Sequence, residues 1–557
     1  MRIRGIAAAA GGLAVASALV LSGCAAGGSG GGEATGNNEI IIANGTEPQN
    51  PLVPVNTNET GGGKIVDSIF AGLVYYTADG TPKNDVAESI TTDDAQTYTI
   101  KINKDAKFSN GEDVTADSFV DAWDYGALLS NAALNSYFFE DIEGFSWDED
   151  SHIKGAGLNV VDDKTFTIKL KAKLGDYPLR LGYSAFYPMP TEAFDDIAAY
   201  GQNPIGNGPY MLAADGWKHN ESIDLVVNPE YNGGRKPLNG GVSFKIFGSQ
   251  EAEYAELLGD NLDVLDAIPQ SSLASFETDL GDRAINQPSA VFQSLTMPSE
   301  LDRFADPNAY KHLVGEEGSL RKQAISMAIN RAEITDVIFE GFRFPAHDFT
   351  SPVISGYSET VPGSEVLDFN PDEAKKLWAE ADKISPWEGT FTIGYNSDGG
   401  HQPWVDAVAN QLKNNLGIDA AGAPYAAFKE LRGKVSPNAD DGKKYVTDSS
   451  WRSGWQADYP GLYNFLGPLY GTGAGSNDGD YSSADFDALL KKGSSATTTD
   501  EANKFFQEAQ TILFKDLPAL PLWYSSTQGG FSTKVQNVAI DWHGVPIYYQ
   551  ITKTAAK

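Results

Sequence analysis

Two short segments alternate apolar and polar residues with a period of two. In "YTIKIN" Tyr98, Ile100 and Ile102 share one face, and in "KTFTIKLK" Phe166, Ile168 and Leu170 do the same. Each predicts a half-buried strand. "EIIIANGTEPQNPLVP" reads as a strand breaking into a Pro- and Asn-rich turn. Elsewhere the apolar residues recur at helical spacing. "GGGKIVDSIFAGLVYY" places Ile65, Ile69, Phe70 and Leu73 together. "SNGEDVTADSFVDAWDYGALL" offers Thr115 as an N-cap, Asp117 in the first turn, and an inward stripe of Phe119, Val120 and Trp123. The second half predicts longer helices. "LRKQAISMAINRAEITDVIFEGF" has Leu320, Ala324, Ile325, Ala328 and Ile329 on one face, with Gly341 as its stop. "NPDEAKKLWAEA" opens on an Asn-Pro signal, and "HQPWVDAVANQLKNNLGI" aligns Val405, Val408, Ala409 and Leu412. In "SSADFDALLKKG" Ser482 and Asp485 have capping-box spacing. Strands interleaved with helices, and no internal repeat, make an α/β protein with mixed sheets.

The first residues change the picture. "MRIR" is basic, "GIAAAAGGLAVASALVL" is apolar and small, and the run is too short for a transmembrane span. Residues 1–23 therefore read as a secretory signal. Leu21-Ser22-Gly23-Cys24 resembles the bacterial lipobox, which marks Cys24, the one cysteine of the chain, for lipidation. A single thiol excludes an intramolecular disulfide and a cysteine-rich metal site. Residues 24–38 are Gly- and Ser-rich, a flexible tether with a reach of about 20 Å. No second apolar run follows, so the expected location is the outer face of the cell membrane, held by lipid alone.

With 41% hydrophobic and 11% aromatic residues, the remainder can bury a core spread over about two to four domains. The formal net charge is −34, and two units more negative once Arg2 and Arg4 leave with the signal. That balance argues against nucleic acid, whose phosphates need Lys and Arg patches. It favours solubility, and attraction of cations at long range.

Catalytic signatures are missing: outside the Gly- and Ser-rich tether no G-x-S-x-G elbow occurs, and no H-E-x-x-H, Walker loop or EF-hand pattern is present. "GTGAGS" at 471–476 follows no strand and reads as a loop. Histidines 152, 219, 312, 347, 401 and 543 are scattered without metal-ligand spacing. Among 75 acids, chance carboxylate pairs are expected. Neither a cofactor nor a metal is expected. One window stands out, "SSWRSGWQADYPG" at 449–461. Trp451, Arg452, Trp455, Asp458 and Tyr459 are either buried aromatics around a satisfied ion pair or a socket for a ligand with a positive end.

Four further blocks, in order, resemble the peptide-binding group of ABC-importer substrate-binding proteins. They are "NGTEPQNPLVP" through "YTIKINKDAKFSNGEDVTADSFVDAW", then "NPIGNGPYMLAADGWKHNESIDLVVNPEYNGG", "LRKQAISMAINRAEITDVIFEGFRFPAHDFTSP" and "WRSGWQADYPGLYNFLGPLY". The resemblance implies a two-lobed, Venus-flytrap fold with a subdomain inserted in lobe I. Placed on this chain, lobe I would comprise 39–80, the insertion 81–198, then 199–288 and 521–557, with lobe II at 289–520. The crossings would lie near Gln287–Ser289 and Pro518–Pro521.

The same resemblance implies a binding protein rather than an enzyme, a monomer that captures oligopeptides and delivers them to the permease of an ABC transporter. Trp455-Gln456-Ala457-Asp458-Tyr459 matches the family window in which an aspartate pairs with the peptide α-amino group, making Asp458 the amine anchor. Arg452 and His401 stand where similar proteins place partners for the peptide C-terminal carboxylate. Trp451, Trp455 and Tyr459 would serve as pocket wall or core. Gln456 departs from the cysteine of the best-known Gram-negative examples. Because the fold also carries other solutes, an oligosaccharide remains the alternative ligand, stacked on residues 451, 455 and 459. An extracellular hydrolase is the alternative of another class.

Overall fold

The computed structural model describes residues 38–397, 400–426, 428–435 and 442–554. The signal segment, Cys24 and all of the tether but Asn38 lie outside the described residues. One large mixed sheet runs through the molecule. Its order is Ala420–Tyr425, Phe391–Asn396, Ser450–Gln456, Ala284–Thr296, Ala519–Phe531, Val264–Leu265, Ile40–Gly45, Gly241–Ile246, Ser222–Val227 and Tyr210–Lys218. The short strand Arg343–Pro345 pairs with Ala519–Phe531 off this path.

The two long central strands, Ala284–Thr296 and Ala519–Phe531, are antiparallel along their whole length. Their register breaks between Pro288 and Phe292. Proline brings no N–H to a ladder, and irregularities collect where pairing lapses. On one side of the break Ala519–Phe531 also pairs with Val264–Leu265. On the other, Ala284–Thr296 pairs with Ser450–Gln456, from Val291 opposite Gln456 to Thr296 opposite Trp451. The apolar core divides accordingly. One cluster draws on residues from Ile41 to Val264 plus Val535, Tyr548 and Ile551. The other runs from Ala290 to Tyr524 and adds Trp542. The protein is two-lobed, and its first lobe is built from both ends of the chain.

Within the first lobe, Ala87–Thr91, Thr97–Ile102, Thr165–Lys169 and Leu158–Asp162 form a separate antiparallel sheet. Tyr98, Ile100, Ile102, Phe166 and Ile168 are buried. Helix Ala116–Ala127 buries Phe119, Val120 and Trp123, and the Trp123 ring meets Phe166 and Phe186 edge-on at 5.7 and 5.0 Å. Thr115 caps this helix, sharing a reciprocal box with Ser118.

Three local expectations differ from the structure. The single helix over 320–341 is two, Gly315–Met327 and Arg331–Val337. Asn330 breaks it by capping the second, its Oδ1 accepting the Glu333 N–H at 3.2 Å. Arg331 then turns inward, where Nε donates to the Pro521 carbonyl at 2.7 Å, and Nη1 to those of Ser326 and Leu367 at 3.0 and 2.8 Å. Burial lowers its pKa to about 9, still far enough above neutrality to keep the guanidinium charged. The cap of Ala484–Ser494 is Ser483 rather than Ser482. This puts Asp485 one position short of a box, and Ser482 instead accepts from the Thr472 hydroxyl at 3.2 Å. Finally, helix Thr60–Ile69 stops at Phe70, whose backbone is extended, so that Leu73 leads into strand Val74–Tyr76.

Candidate functional site

A cavity of about 440 Å³ opens where the end of Ser450–Gln456 faces the first lobe. That volume suits a small ligand rather than a single water. Its second-lobe wall is Gln456, Ala457 and Asp458. Its first-lobe wall includes helix Thr60–Ile69, Tyr75, Tyr76, Tyr137, Tyr183, Tyr187, Arg235 and the stretch from Asp541 to Tyr549. Gly182 sits in this wall with the Tyr76 ring so near that an added Cβ would lie 2.6 Å from Cζ.

Asp458 is placed by backbone pairing and by one side chain. Ala457 N–H extends the ladder to the Ala290 carbonyl at 2.9 Å, one residue past the strand. Asn464, buried on helix Tyr463–Tyr470, then takes over. Its Oδ1 accepts the Asp458 N–H at 2.8 Å, and its Nδ2 donates to Asp458 Oδ2 at 3.0 Å. The same Oδ1 accepts from Trp455 Nε1 at 3.2 Å. Asp458 Oδ1 has no protein partner among the described residues. Burial raises the Asp458 pKa, partly offset by Asn464 and by the positive charge of Arg180. The phenols of Tyr137 and Tyr183, also in the wall, feel the Asp458 charge.

Two contacts from the same window reach the first lobe. Gln456 Nε2 lies 3.2 Å from His543 Nε2. Tyr459 donates to buried Asp176 at 3.4 Å, and its ring is covered by the Arg180 guanidinium at 5.2 Å. Arg180 also holds Asp141 at 2.6 Å. Burial keeps His543 below the usual histidine range, favouring the neutral imidazole that this contact with an amide needs.

Of the six residues singled out in the sequence, Asp458 alone lines the cavity. Trp451 is buried among Phe304, Tyr310, Leu431, Val435 and Val446. Tyr459 is buried against Asp176 and Arg180, and Trp455 is half-buried against the second-lobe core. Arg452 donates to Asn396 Oδ1 at 3.3 Å. His401 accepts from Trp404 Nε1 at 3.2 Å. Both stand outside the cavity wall.

Sequence reasoning missed Asp67, Tyr137, Tyr183, Asp541 and Asn464. Asp67 accepts from the Tyr187 hydroxyl at 2.9 Å. Asp541 Oδ1 accepts the N–H groups of His543 and Val545, both at 2.9 Å, in a turn closed by Gly544 at φ +92°. Nothing local marks these acids among 75, and only Asn464, inside the block "WRSGWQADYPGLYNFLGPLY", stood near a recognised signal. No group of three or more His, Cys, Asp or Glu side chains among the described residues is arranged to hold a metal ion. No helix among them is long and apolar enough to cross a membrane.

Comparison with known proteins places this architecture. The chain is 24% identical to the oligopeptide-binding protein OppA of Bacillus subtilis, with 92% of each chain covered. It is 26% identical to the periplasmic OppA of Haemophilus influenzae, again over 92% of each. Among solved structures, the unliganded open form of the murein tripeptide-binding protein MppA superposes with a TM-score of 0.78 at 21% identity, covering 93% of this chain and 97% of that one. Haemophilus influenzae OppA in complex with the peptide RPPGFSPFR gives 0.65 at 22% identity, covering 93% and 99%. The family model for the middle region of bacterial extracellular solute-binding proteins, family 5, matches residues 81–477, more than half of the sequence, and the chain therefore belongs to that family.

Proposed function

We propose that this protein is a lipid-anchored substrate-binding protein that captures extracellular oligopeptides between its two lobes and delivers them to the permease of an ABC transporter. One observation carries the reading. Asp458 stands in the cavity wall with one oxygen braced by Asn464 and the other without a protein partner among the described residues. A peptide α-ammonium supplies both the charge and the hydrogen bonds that this carboxylate lacks. Removing the ammonium from water is costly, and a buried carboxylate in good geometry offsets the loss. Strand edges and backbone groups near the cavity would serve the peptide's own backbone, which is common to all sequences. Relatives named as oligopeptide- and dipeptide-binding proteins support the choice of ligand.

The oligosaccharide alternative loses the three stacking residues assigned to it, because Trp451, Trp455 and Tyr459 are absent from the cavity wall, whose aromatic rings come from the first-lobe side. Anchoring would rest on Cys24 and the tether of residues 24–38, and the lobes would divide near the register break at Pro288. The test is to purify the protein natively, denature it, and identify the released small molecules by mass spectrometry. Peptides of narrow length and varied sequence, with free amines, are expected. Sugars or metal chelates in their place would overturn the role given to Asp458.

A further inference from the structure

The cavity wall holds more carboxyl groups than one ammonium requires. Its two strong cations are already paired with carboxylates behind the wall: Lys64 with Asp266, and Arg235 with Asp85, the latter through Nε at 3.1 Å. Neither Asp67 nor Asp541 has an ion-pair partner of its own among the described residues, although Arg235 donates to the Asp67 backbone carbonyl at 2.7 Å and its charge partly stabilises that carboxylate. Each carboxylate meets protein donors through one oxygen only, Asp67 through Tyr187 and Asp541 through two backbone N–H groups. Their second oxygens have no protein partner among the described residues. A fourth acid of the wall, Glu59, caps its helix by accepting the Gly62 N–H at 2.7 Å.

An independent feature points the same way. Tyr548, in the same wall, is 5% exposed, and its buried hydroxyl has no hydrogen-bond partner among the described residues. The phenol feels the charge of Asp266 and, more weakly, that of Asp541. Such a group is rare unless something else completes it. Burial raises both carboxyl pKa values, that of Asp541 to about 7, and the Asp67 charge contributes to the latter. Asp67 is solvent-exposed and Asp541 half-buried, and two acids that repel each other across one cavity wall are relieved by a cation brought between them.

We propose that Asp67 and Asp541, with the Tyr548 hydroxyl, form a second cation subsite in the first lobe, which takes the basic side chain of a peptide whose α-ammonium is held by Asp458. This inference rests on the peptide reading above. The subsite would make the protein selective for lysine- or arginine-containing peptides, because norleucine offers the same methylenes without the charge. It also gives closure a bridge: one ligand residue would contact carboxylates of both lobes.

The experiment is calorimetry on the full chain at neutral pH with two tripeptides, Lys-Ala-Ala and norleucine-Ala-Ala. We expect Lys-Ala-Ala to bind at least about tenfold more tightly, and the ratio to fall toward one in the D67N/D541N double variant. Equal affinities in the unaltered protein would overturn the subsite and leave the peptide reading standing. A ratio that survives in the double variant would overturn the assignment to these two residues. Binding of neither peptide, by a protein that also releases none on denaturation, would remove the peptide reading and the subsite together. The ratio in the unaltered protein decides even if the double variant fails to fold.

Discussion

Asn464 holds Asp458 at two points, accepting its backbone N–H at 2.8 Å while donating to its carboxylate at 3.0 Å. The main chain and side chain of Asp458 are thus fixed by one amide, itself buried on the following helix. A carboxylate positioned in advance loses little entropy when a ligand arrives.

Replacing Asp458 by Ala should weaken peptide binding by about 2–5 kcal/mol, the cost of stranding a buried charge. Asn464→Ala should cost less, about tenfold in affinity, with circular dichroism unchanged. N-acetylating the peptide should reproduce the Asp458→Ala loss in the unaltered protein and add nothing in the variant. An Asp458→Ala affinity within twofold of the unaltered protein, by calorimetry, would reject the anchor.

The contacts of Gln456 with His543 and of Tyr459 with Asp176 link the window around Asp458 to the first lobe. Removing both, in Gln456→Ala/Tyr459→Phe, should let the lobes separate further in the ligand-free protein. Each neutral hydrogen bond is worth about 1 kcal/mol, so peptide affinity should fall by several fold. Small-angle scattering should report a larger radius of gyration. An unchanged radius would mean that other contacts set the lobe spacing.

Asp541 ties folding to pH. Burial and, more weakly, the Asp67 charge raise its pKa to about 7, against the opposing N–H groups of Val545, His543 and Gly544. An unfolded aspartate ionises near roughly pH 4. Between about pH 4 and about pH 7 the folded chain therefore keeps a proton that the unfolded chain has lost, and stability falls as pH rises through that window. Asp541→Asn removes this slope. Its Tm relative to the unaltered protein should rise between about pH 4.5 and about pH 7.5, measured by calorimetric scans without ligand. Parallel Tm curves would show that Asp541 ionises as freely folded as unfolded.

Arg331 joins the second helix of the broken pair to the long strand at Pro521 and to the loop at Leu367. Arg331→Leu leaves four buried carbonyls, those of Ser326, Ile329, Leu367 and Pro521, without this donor, and should destabilise the protein by about 3 kcal/mol or more. Lysine lacks the forked donors and should recover little of the loss. Denaturant midpoints would decide, and full rescue by lysine would mean that charge alone matters.

Periodicity made the half-buried strand Thr97–Ile102 and helix Ala116–Ala127 legible from sequence, because a pleat or a helical turn writes its buried face at fixed spacing. Ser483 and Asn330 show the limit. Capping depends on which neighbouring side chain reaches the free N–H, a matter of one residue or one rotamer, and apolar spacing passes through both places unchanged.

The sequence alone was enough for the α/β class and the order of elements, and for picking out Asp458, since these rest on local pattern and on one short window. Tertiary structure alone assigned Trp451 and Tyr459 to buried packing and kept Arg452 and His401 out of the cavity wall. It also brought Asp67, from near the start of the chain, into one cavity wall with Asp541, from near its end. A carboxylate's role depends on which charges and donors surround it in three dimensions, and residues this far apart in sequence meet only once both chain ends have folded into one lobe.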